Sequence, residues 1–190
     1  MKIQFVFIIF LCHITFLQAQ EFQLNETEST LEWTGKAAFS AYSLSGTIEA
    51  QEGSIKIEDQ KIIYTQLTIN ARSINASNKQ LKKHLRSEDF FDVKKYPEAM
   101  FELSEFILLN QDQLLAKGKM TIKGITKAIV IPLTIEQTNG QVSASGTATI
   151  NRTDYGIRYN SPTFFTALKD QAIADEFEVT FDLIFDRSSS

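Results

Sequence analysis

The sequence predicts an all-β protein with one antiparallel sheet of about eight strands that closes or folds onto itself. Apolar and polar residues alternate with a period of two along most of the chain, as on a strand with one buried face. Turn-forming residues, such as Asn139-Gly140, separate the alternating segments. No proline- or glycine-rich linker divides residues 20–190, which predicts one domain. A closed barrel and a two-layer sandwich both fit this pattern.

The first three predicted strands fall between residues 31 and 71. The segment 31–39 has an apolar face made of Leu31, Trp33, Gly35, Ala37 and Phe39. The long segment 42–57 has an apolar face made of Tyr42, Leu44, Gly46, Ile48, Ile55 and Ile57. The third strand begins near Ile62 and carries Leu67, Ile69 and Ala71.

Five more strands are predicted after residue 100. The apolar faces comprise Phe101 and Leu103; Leu114, Ala116, Gly118, Met120 and Ile122; Ile129, Ile131, Leu133 and Ile135; Val142, Ala144, Gly146, Ala148 and Ile150; and Phe177, Val179, Phe181, Leu183 and Phe185. Gly124-Ile125-Thr126 is expected to be a turn. Pro132 has no amide hydrogen, so we expect a bulge or an unpaired position there.

Residues 1–19 have the pattern of a secretory signal peptide. Lys2 precedes an apolar run, and Ala19 marks a plausible cleavage point. Cys12, His13 and Thr15 interrupt the run, which is shorter than the roughly 20 apolar residues of a spanning helix. We therefore predict cleavage near Ala19 and export, to a periplasm or outside the cell. The remainder, residues 20–190, has no cysteine and no second long apolar span.

The charge distribution argues against two classes of function. The chain carries 19 Lys and Arg against 23 Asp and Glu, a formal charge of −4, and has no long basic run. It therefore lacks the electrostatic footprint of a nucleic-acid-binding protein. The polar faces of the strands carry Glu and Lys, so they do not suit the lipid-facing belt of a membrane barrel. The apolar faces are accordingly expected to line the inside of a soluble sheet.

The pattern leaves open whether that interior is filled or hollow. Small residues recur on the apolar faces, and a barrel of about eight strands is near the size at which side chains just fill it. The small residues favour free space inside the barrel, whereas Trp33, Met120 and the phenylalanines are large enough to fill that space. An open interior would be apolar and would select an apolar guest.

The stretch HLRSEDFFDVKKYP, residues 84–97, concentrates charged and aromatic side chains. Ser77 is a candidate N-cap for a short helix that carries His84 and ends near Arg86. His84 is the only histidine after residue 19, and no nucleophile or metal motif accompanies it. We predict no catalytic residue and no metal site. A carboxylate cation site at Glu88, Asp89 and Asp92 is a weaker alternative.

Three motifs resemble the YceI-like polyisoprenoid-binding family. They are the His84–Ser87, Asp89–Asp92 and Tyr96-Pro97 signature; Gly124, Thr126 and Lys127; and the run Asn151–Gly156, with Asp175-Glu176 before the last strand. The resemblance implies an extended eight-stranded antiparallel lipocalin-like barrel with a short helix and one long loop. It also implies a hollow interior that holds an isoprenoid chain without chemistry on it. GKAAFSAYSLSG lacks the His-Leu-Gly segment of many members, which leaves head-group recognition open.

Alternation, the long connection 151–175 and the resemblance together give a set of candidate binding residues. Those expected at an apolar cavity are Trp33, Phe39, Leu44, Ile69, Phe90, Phe91, Phe101, Met120, Ile131, Tyr155, Phe164, Phe165 and Phe181. Candidate head-group contacts are His84, Arg86, Arg152 and Arg158, although the last two can instead pair with Asp154 or Asp170.

The leading hypothesis is an exported carrier or store of an isoprenoid lipid, such as a quinone or a polyprenyl phosphate. It requires no cofactor besides that bound lipid. A stress-related envelope protein that uses the barrel as a scaffold is a second hypothesis. An enzyme that uses His84, Arg86 and Asp89 is a third. The oligomeric state is open, and a dimer is one option.

Overall fold

The computed structural model describes residues 19–59, 61–108, 113–138, 140–168 and 171–188. The predicted signal peptide, Asn139 and Asp170 lie outside these ranges, apart from Ala19. The described chain contains strands β1 (Gln20–Leu24), β2 (Thr30–Ala37), β3 (Ser43–Glu58), β4 (Lys61–Asn70), β5 (Glu98–Leu108), β6 (Leu114–Ile122), β7 (Ile125–Gln137), β8 (Gln141–Asn151) and β9 (Ile173–Arg187). One helix, α1 (Lys79–Leu85), and two 3-10 turns, Ala71–Ser73 and Arg152–Tyr155, occupy the connections.

The strands form a closed antiparallel barrel with eight positions. The order is β3-β2-β9-β8-β7-β6-β5-β4, and pairing of β4 with β3 closes the ring. β1 pairs with β3 and β9 beyond the end of β2, so β1 and β2 share one position. The predicted eight-stranded antiparallel barrel is confirmed, and the sandwich alternative is wrong. β1 was not predicted because Phe22 and Leu24 are too few residues to show alternation.

The two ends of the barrel differ. One end carries the β2–β3, β4–β5, β6–β7 and β8–β9 connections, and we call it the cap end. The other end carries the β3–β4, β5–β6 and β7–β8 connections, and we call it the hairpin end. Near the hairpin end, Phe22, Ile55, Val142 and Phe185 are almost wholly buried, which makes this end well packed.

The structure corrects several predicted boundaries at the cap end. β2 ends at Ala37, so Phe39 lies in the following connection rather than on the strand. Ala71 lies in a 3-10 turn. The β6–β7 turn is at Lys123 and Gly124, both with positive φ, so β7 already begins at Ile125. The helix is capped by Asn78 instead of Ser77, because the Asn78 side chain accepts the amide hydrogens of Gln80 and Leu81.

Pro132 lies at a discontinuity in the barrel wall. It stays in register opposite Leu115 on β6, with no bulge in that ladder. In the described ranges, the ladder between β7 and β8 extends only from Leu133 and Gly146 to Gln137 and Val142. The expected unpaired position is therefore found on the β8 side, whereas the expected bulge is not. The 3-10 turn that follows β8, Arg152–Tyr155, also packs against β7.

Candidate functional site

The barrel encloses a cavity of about 380 Å³ whose wall includes residues from all eight strand positions. Its lining is almost entirely aliphatic and aromatic. On β9, Phe177, Val179 and Phe181 line the cavity and are only partly buried, because free space lies beside them. The volume lies within the range of small-molecule sites, roughly 300–1,000 Å³. The interior is therefore hollow, as the family resemblance implied.

Gly46, Gly118 and Gly146 on the inner faces do not create this space, contrary to the expectation from small residues, whereas Gly35 lines the cavity and stays open. A Cβ on Gly46 would lie 2.0 Å from the carbonyl oxygen of Asn75 and 2.8 Å from the Trp33 indole. A Cβ on Gly118 would lie 2.4 Å from the Glu102 carbonyl oxygen and 2.6 Å from the Phe101 ring. These glycines allow aromatic rings and backbone to approach closely. The space comes instead from the size of the ring and from alanines such as Ala148 in its wall.

Charged groups that line the cavity lie at the cap end. They are Lys36, Glu98, Lys123, Arg152 and Glu176. Lys36 pairs with Glu178 at 2.8 Å, and the Lys123 ammonium donates to the Glu88 carbonyl oxygen at 2.9 Å. Towards the hairpin end the lining is apolar except for Thr65. An occupant is therefore offered a hydrocarbon environment with polar groups at one end.

A second group of buried side chains closes part of the cap end over the cavity. It consists of Trp33, Ile74, Leu85, Phe90 and Ile157, with Phe91 packed against it. Helix α1 supplies Leu81 and Leu85 on one face, four residues apart. The Arg86 Nε donates to the Ile74 carbonyl oxygen at 3.1 Å, which joins the C-terminal end of α1 to the segment before the helix.

The imidazole of His84 packs among aromatic rings. Its centroid lies 5.0 Å from that of Phe90 and 4.3 Å from that of Tyr159, both edge to face. Its Nε2 is buried and has no hydrogen-bond partner among the described residues. This nitrogen therefore does not form the base–nucleophile hydrogen bond that nucleophilic catalysis needs.

Arg152 is buried at the point where the long β8–β9 connection returns to the barrel. Its guanidinium donates four hydrogen bonds of 2.9–3.0 Å to backbone carbonyl oxygens, namely those of Ile157, Tyr159, Ile173 and Ala174. Asp175 lies 3.5 Å away. Burial lowers the pKa of Arg152, and the charge of Asp175 opposes that change. Its donors therefore hold the connection against β9.

Nine of the predicted apolar binding residues line the cavity, and four do not. Those in the wall are Trp33, Leu44, Ile69, Phe90, Phe91, Phe101, Met120, Ile131 and Phe181. Phe39, Phe164 and Phe165 are exposed on the cap-end connections, and Tyr155 is buried outside the wall. The wall also includes Ile55, Ile62, Phe106 and Phe185, which we did not select; the alternation placed Ile55 and Phe185 on inner faces. Contact of any of these residues with a ligand stays a prediction.

Of the four head-group candidates, only Arg152 lines the cavity. Arg158 lies outside it, with its Cζ 4.4 Å from the ring centroid of Phe164. His84 and Arg86 are engaged in the cap as described above. The sequence could not distinguish these places, because a basic residue in a connection can bind backbone, ring or ligand equally well.

The acidic residues of the 84–97 stretch lie on an outer polar depression. Glu88, Asp89 and Asp92 share it with Lys95, Lys123 and Arg158. In the described ranges no three His, Cys, Asp or Glu side chains are grouped as a metal site requires. The same ranges contain no helix long and apolar enough to cross a membrane.

Comparison with known proteins places the chain among relatives of the same size. The model of the YceI-like domain matches residues 22–185. A UPF0312 protein of Pseudomonas savastanoi is 27% identical over 160 residues, which cover 74% of this chain and 82% of the relative.

Two solved structures have the same fold. Burkholderia cenocepacia BcnA is 23% identical with a TM-score of 0.69, over 85% of this chain and 98% of that one. A polyisoprenoid-binding domain from Saccharophagus degradans, implicated in plant cell wall breakdown, is 14% identical with a TM-score of 0.67. That match covers 88% of this chain and 98% of the domain.

Proposed function

Because the chain belongs to the YceI-like family, we propose that it is an exported carrier or storage protein that binds an isoprenoid-type lipid inside its barrel. The observation that carries this proposal is the apolar cavity of about 380 Å³. The Saccharophagus degradans structure with the same fold is a polyisoprenoid-binding domain, which supports the same class of ligand for this chain. A quinone and a polyprenyl phosphate are the two candidate ligands.

The chemistry of the wall fits a long hydrocarbon chain. Burial contributes roughly 0.8 kcal/mol for each methylene, so one five-carbon isoprene unit contributes about 3 to 4 kcal/mol before the costs of binding. A few such units retain a lipid tightly. In the proposed complex the more polar end of such a molecule faces the charged groups at the cap end.

The proposal assigns no chemical step to the protein. His84 packs against Phe90 and Tyr159, and the Arg86 Nε is bonded to backbone. Replacing His84 should therefore leave ligand retention unchanged in a variant that keeps the ring packing, such as His84→Phe. Loss of bound lipid in His84→Phe would instead give the imidazole a direct role.

Extraction of the purified protein tests the proposal directly. The protein is produced with its own N-terminal segment, purified without detergent and extracted with organic solvent for mass spectrometry. We expect one class of isoprenoid lipid at a defined ratio to protein. Repeatedly empty extracts, together with no Trp33 fluorescence response to added short-chain prenyl quinone, would contradict the proposal.

Export is tested separately from binding. We expect the mature protein in the periplasmic or extracellular fraction, with an N-terminus near Gln20. A cytoplasmic protein that retains residues 1–19 would contradict export and would leave the binding proposal standing.

A further inference from the structure

The cavity reaches the surface at the cap end, between two connections. Tyr42 lines the cavity and is 63% exposed, so it belongs to both the wall and the surface. Gln171, at the start of the segment leading into β9, also lines the cavity and is exposed. The amide of Ala38 donates to the Ala172 carbonyl oxygen at 2.9 Å, which holds the two sides together. We call this opening the mouth.

Both connections beside the mouth carry exposed aromatic rings. Phe39 is 68% exposed on the β2–β3 connection, and Phe164 and Phe165 are 43% and 51% exposed on the β8–β9 connection. The Ile173 amide donates to the Asn160 carbonyl oxygen at 2.9 Å, which holds the second connection beside the start of β9. Single exposed apolar side chains are ordinary, but several on adjoining connections mark an interaction site. We call Phe39, Tyr42, Phe164 and Phe165 the aromatic rim.

The aromatic rim lies on segments without charge. Residues 37–48 and 159–168 contain no Asp, Glu, Lys, Arg or His, whereas 22% of the whole chain is charged. Neutral segments tipped with aromatic rings suit the interfacial zone of a lipid bilayer, where aromatic side chains place an apolar body beside hydrated head groups. Beyond Phe164 and Phe165 the surface carries charges of both signs: Arg158, whose Cζ lies 4.4 Å from the Phe164 ring centroid, shares the outer polar depression with Phe165 and the carboxylates of Glu88, Asp89 and Asp92. Charges of both signs beside an apolar rim suit a zwitterionic phospholipid head-group layer.

We propose that the aromatic rim docks into the interfacial zone of a phospholipid bilayer, so that the mouth opens directly onto membrane lipid. This inference rests on the proposed function, since it concerns where the isoprenoid ligand enters and leaves. Transfer through a docked mouth spares the apolar chain a passage through water. The well-packed hairpin end lies at the opposite end of the barrel.

Binding to vesicles tests the docking without any ligand. Wild-type protein is sedimented with phosphatidylcholine vesicles, together with the triple variant Phe39→Ser/Phe164→Ser/Phe165→Ser. The matched control is Ile63→Ser/Leu108→Ser, which removes apolar residues that are 55% and 68% exposed near the hairpin end. We expect the rim variant to lose about tenfold or more of the vesicle affinity, since each ring contributes apolar burial, and the control to behave as wild type.

Ligand transfer separates this inference from the proposed function. Trp33 fluorescence follows uptake of a long-chain prenyl quinone from the same vesicles and, in parallel, of a short-chain prenyl quinone from solution. We expect the rim variant to slow uptake from vesicles about tenfold. Because its three substituted rings lie outside the cavity wall, we expect it to bind the soluble quinone as wild type does. Equal vesicle uptake in the rim variant and wild type overturns the docking while the proposed function stands.

Two other outcomes also overturn the docking. One is a hairpin-end control that loses vesicle binding as strongly as the rim variant. The other is sedimentation equilibrium in which wild type dimerises and the rim variant does not, because the rim would then join two copies. By contrast, vesicle binding that depends on the rim, with no quinone bound by any route, supports docking and contradicts the proposed function.

Discussion

The indole Nε1 of Trp33 donates a hydrogen bond to the backbone carbonyl oxygen of Asn75, 2.9 Å away. Trp33 belongs to the barrel wall, and Asn75 lies in the connection that leads to α1. The backbone amide of Asn75 in turn donates to the carbonyl oxygen of Thr47 on β3 at 2.8 Å. Gly46, next to Thr47, leaves the room that the indole and the Asn75 carbonyl occupy. One cavity-lining ring therefore joins the wall to its cap.

Substituting Gly46 should separate these groups. In Gly46→Ala the new methyl group would lie 2.0 Å from the Asn75 oxygen, which is backbone and cannot rotate away. We expect a loss of about 1–3 kcal/mol in the free energy of unfolding, as for overpacked interiors. Urea unfolding followed by Trp33 fluorescence measures it. Gly35→Ala is the control, because its new methyl group would lie 3.9 Å from the nearest atom, on the Trp33 ring. Equal stabilities of the two variants would refute the explanation.

Arg152 should contribute more to stability than any other basic residue of the β8–β9 connection. Arg152→Met leaves four backbone carbonyl oxygens without this buried donor and removes the positive charge that lies 3.5 Å from the Asp175 carboxylate. We expect a loss of about 3 kcal/mol or more in the free energy of unfolding. The exposed Arg158→Met is the control. A similar urea midpoint for both variants would show that the guanidinium is dispensable for the fold.

Alternation predicted the strands because it is a property of each strand alone, whereas the choice of a barrel over a sandwich came from the family resemblance. The five predicted inner residues of the last strand, from Phe177 to Phe185, all line the cavity, since burial on one face repeats along the strand. Ile173, Ala174 and Glu176 at the start of β9 line it too and were not predicted. The predictions fail where a residue's place depends on distant partners. Phe39 continues the alternation of β2, but the register shifts between Gly35 and Ala37 and the strand ends there.

The same limit applies to the cavity. Nothing local distinguishes Gly46, which an indole covers, from Gly35, which remains open, because the covering group comes from elsewhere in the fold. Arg152 resembled a head-group ligand because its four acceptors are backbone carbonyl oxygens, which the side-chain sequence does not reveal. Hydrogen bonds between a side chain and distant backbone become visible only in three dimensions.

Tyr155 should make the protein less stable in alkali. Burial raises the pKa of its phenol, and the neighbouring charge of Asp154 raises it further. Below the ordinary pKa of about 10 the phenol is protonated in both folded and unfolded chains and has no effect. As the pH rises above that value, the unfolded chain loses the proton first, so the folded state loses stability.

Replacing Tyr155 should therefore reduce the alkaline loss. We expect the free energy of unfolding of Tyr155→Phe to fall less than that of wild type between about pH 9 and pH 11. The difference between the two proteins isolates this phenol from the lysines that titrate in the same range. Tyr42→Phe, at the exposed mouth, serves as the control. Parallel pH profiles for wild type and Tyr155→Phe would mean that the buried phenol has no part in alkaline unfolding.

Filling the cavity should separate ligand binding from folding. Ala148 is buried in the wall on β8, and its side chain faces the cavity. In Ala148→Leu three more carbon atoms would occupy space that a ligand chain needs. We expect the affinity for a prenyl quinone, measured by Trp33 fluorescence, to fall about tenfold or more, because apolar contacts with the ligand are lost.

Stability measured on the same variant decides whether the space is free. A side chain that enters an empty cavity causes no overpacking, so the free energy of unfolding of Ala148→Leu should stay within about 0.5 kcal/mol of wild type or rise. A loss of about 1–3 kcal/mol would indicate a filled interior. Thr149→Leu places similar bulk on the exposed neighbouring residue and should leave quinone affinity unchanged. Loss of affinity in both variants would point to a general disturbance of β8 and contradict the cavity as the binding site.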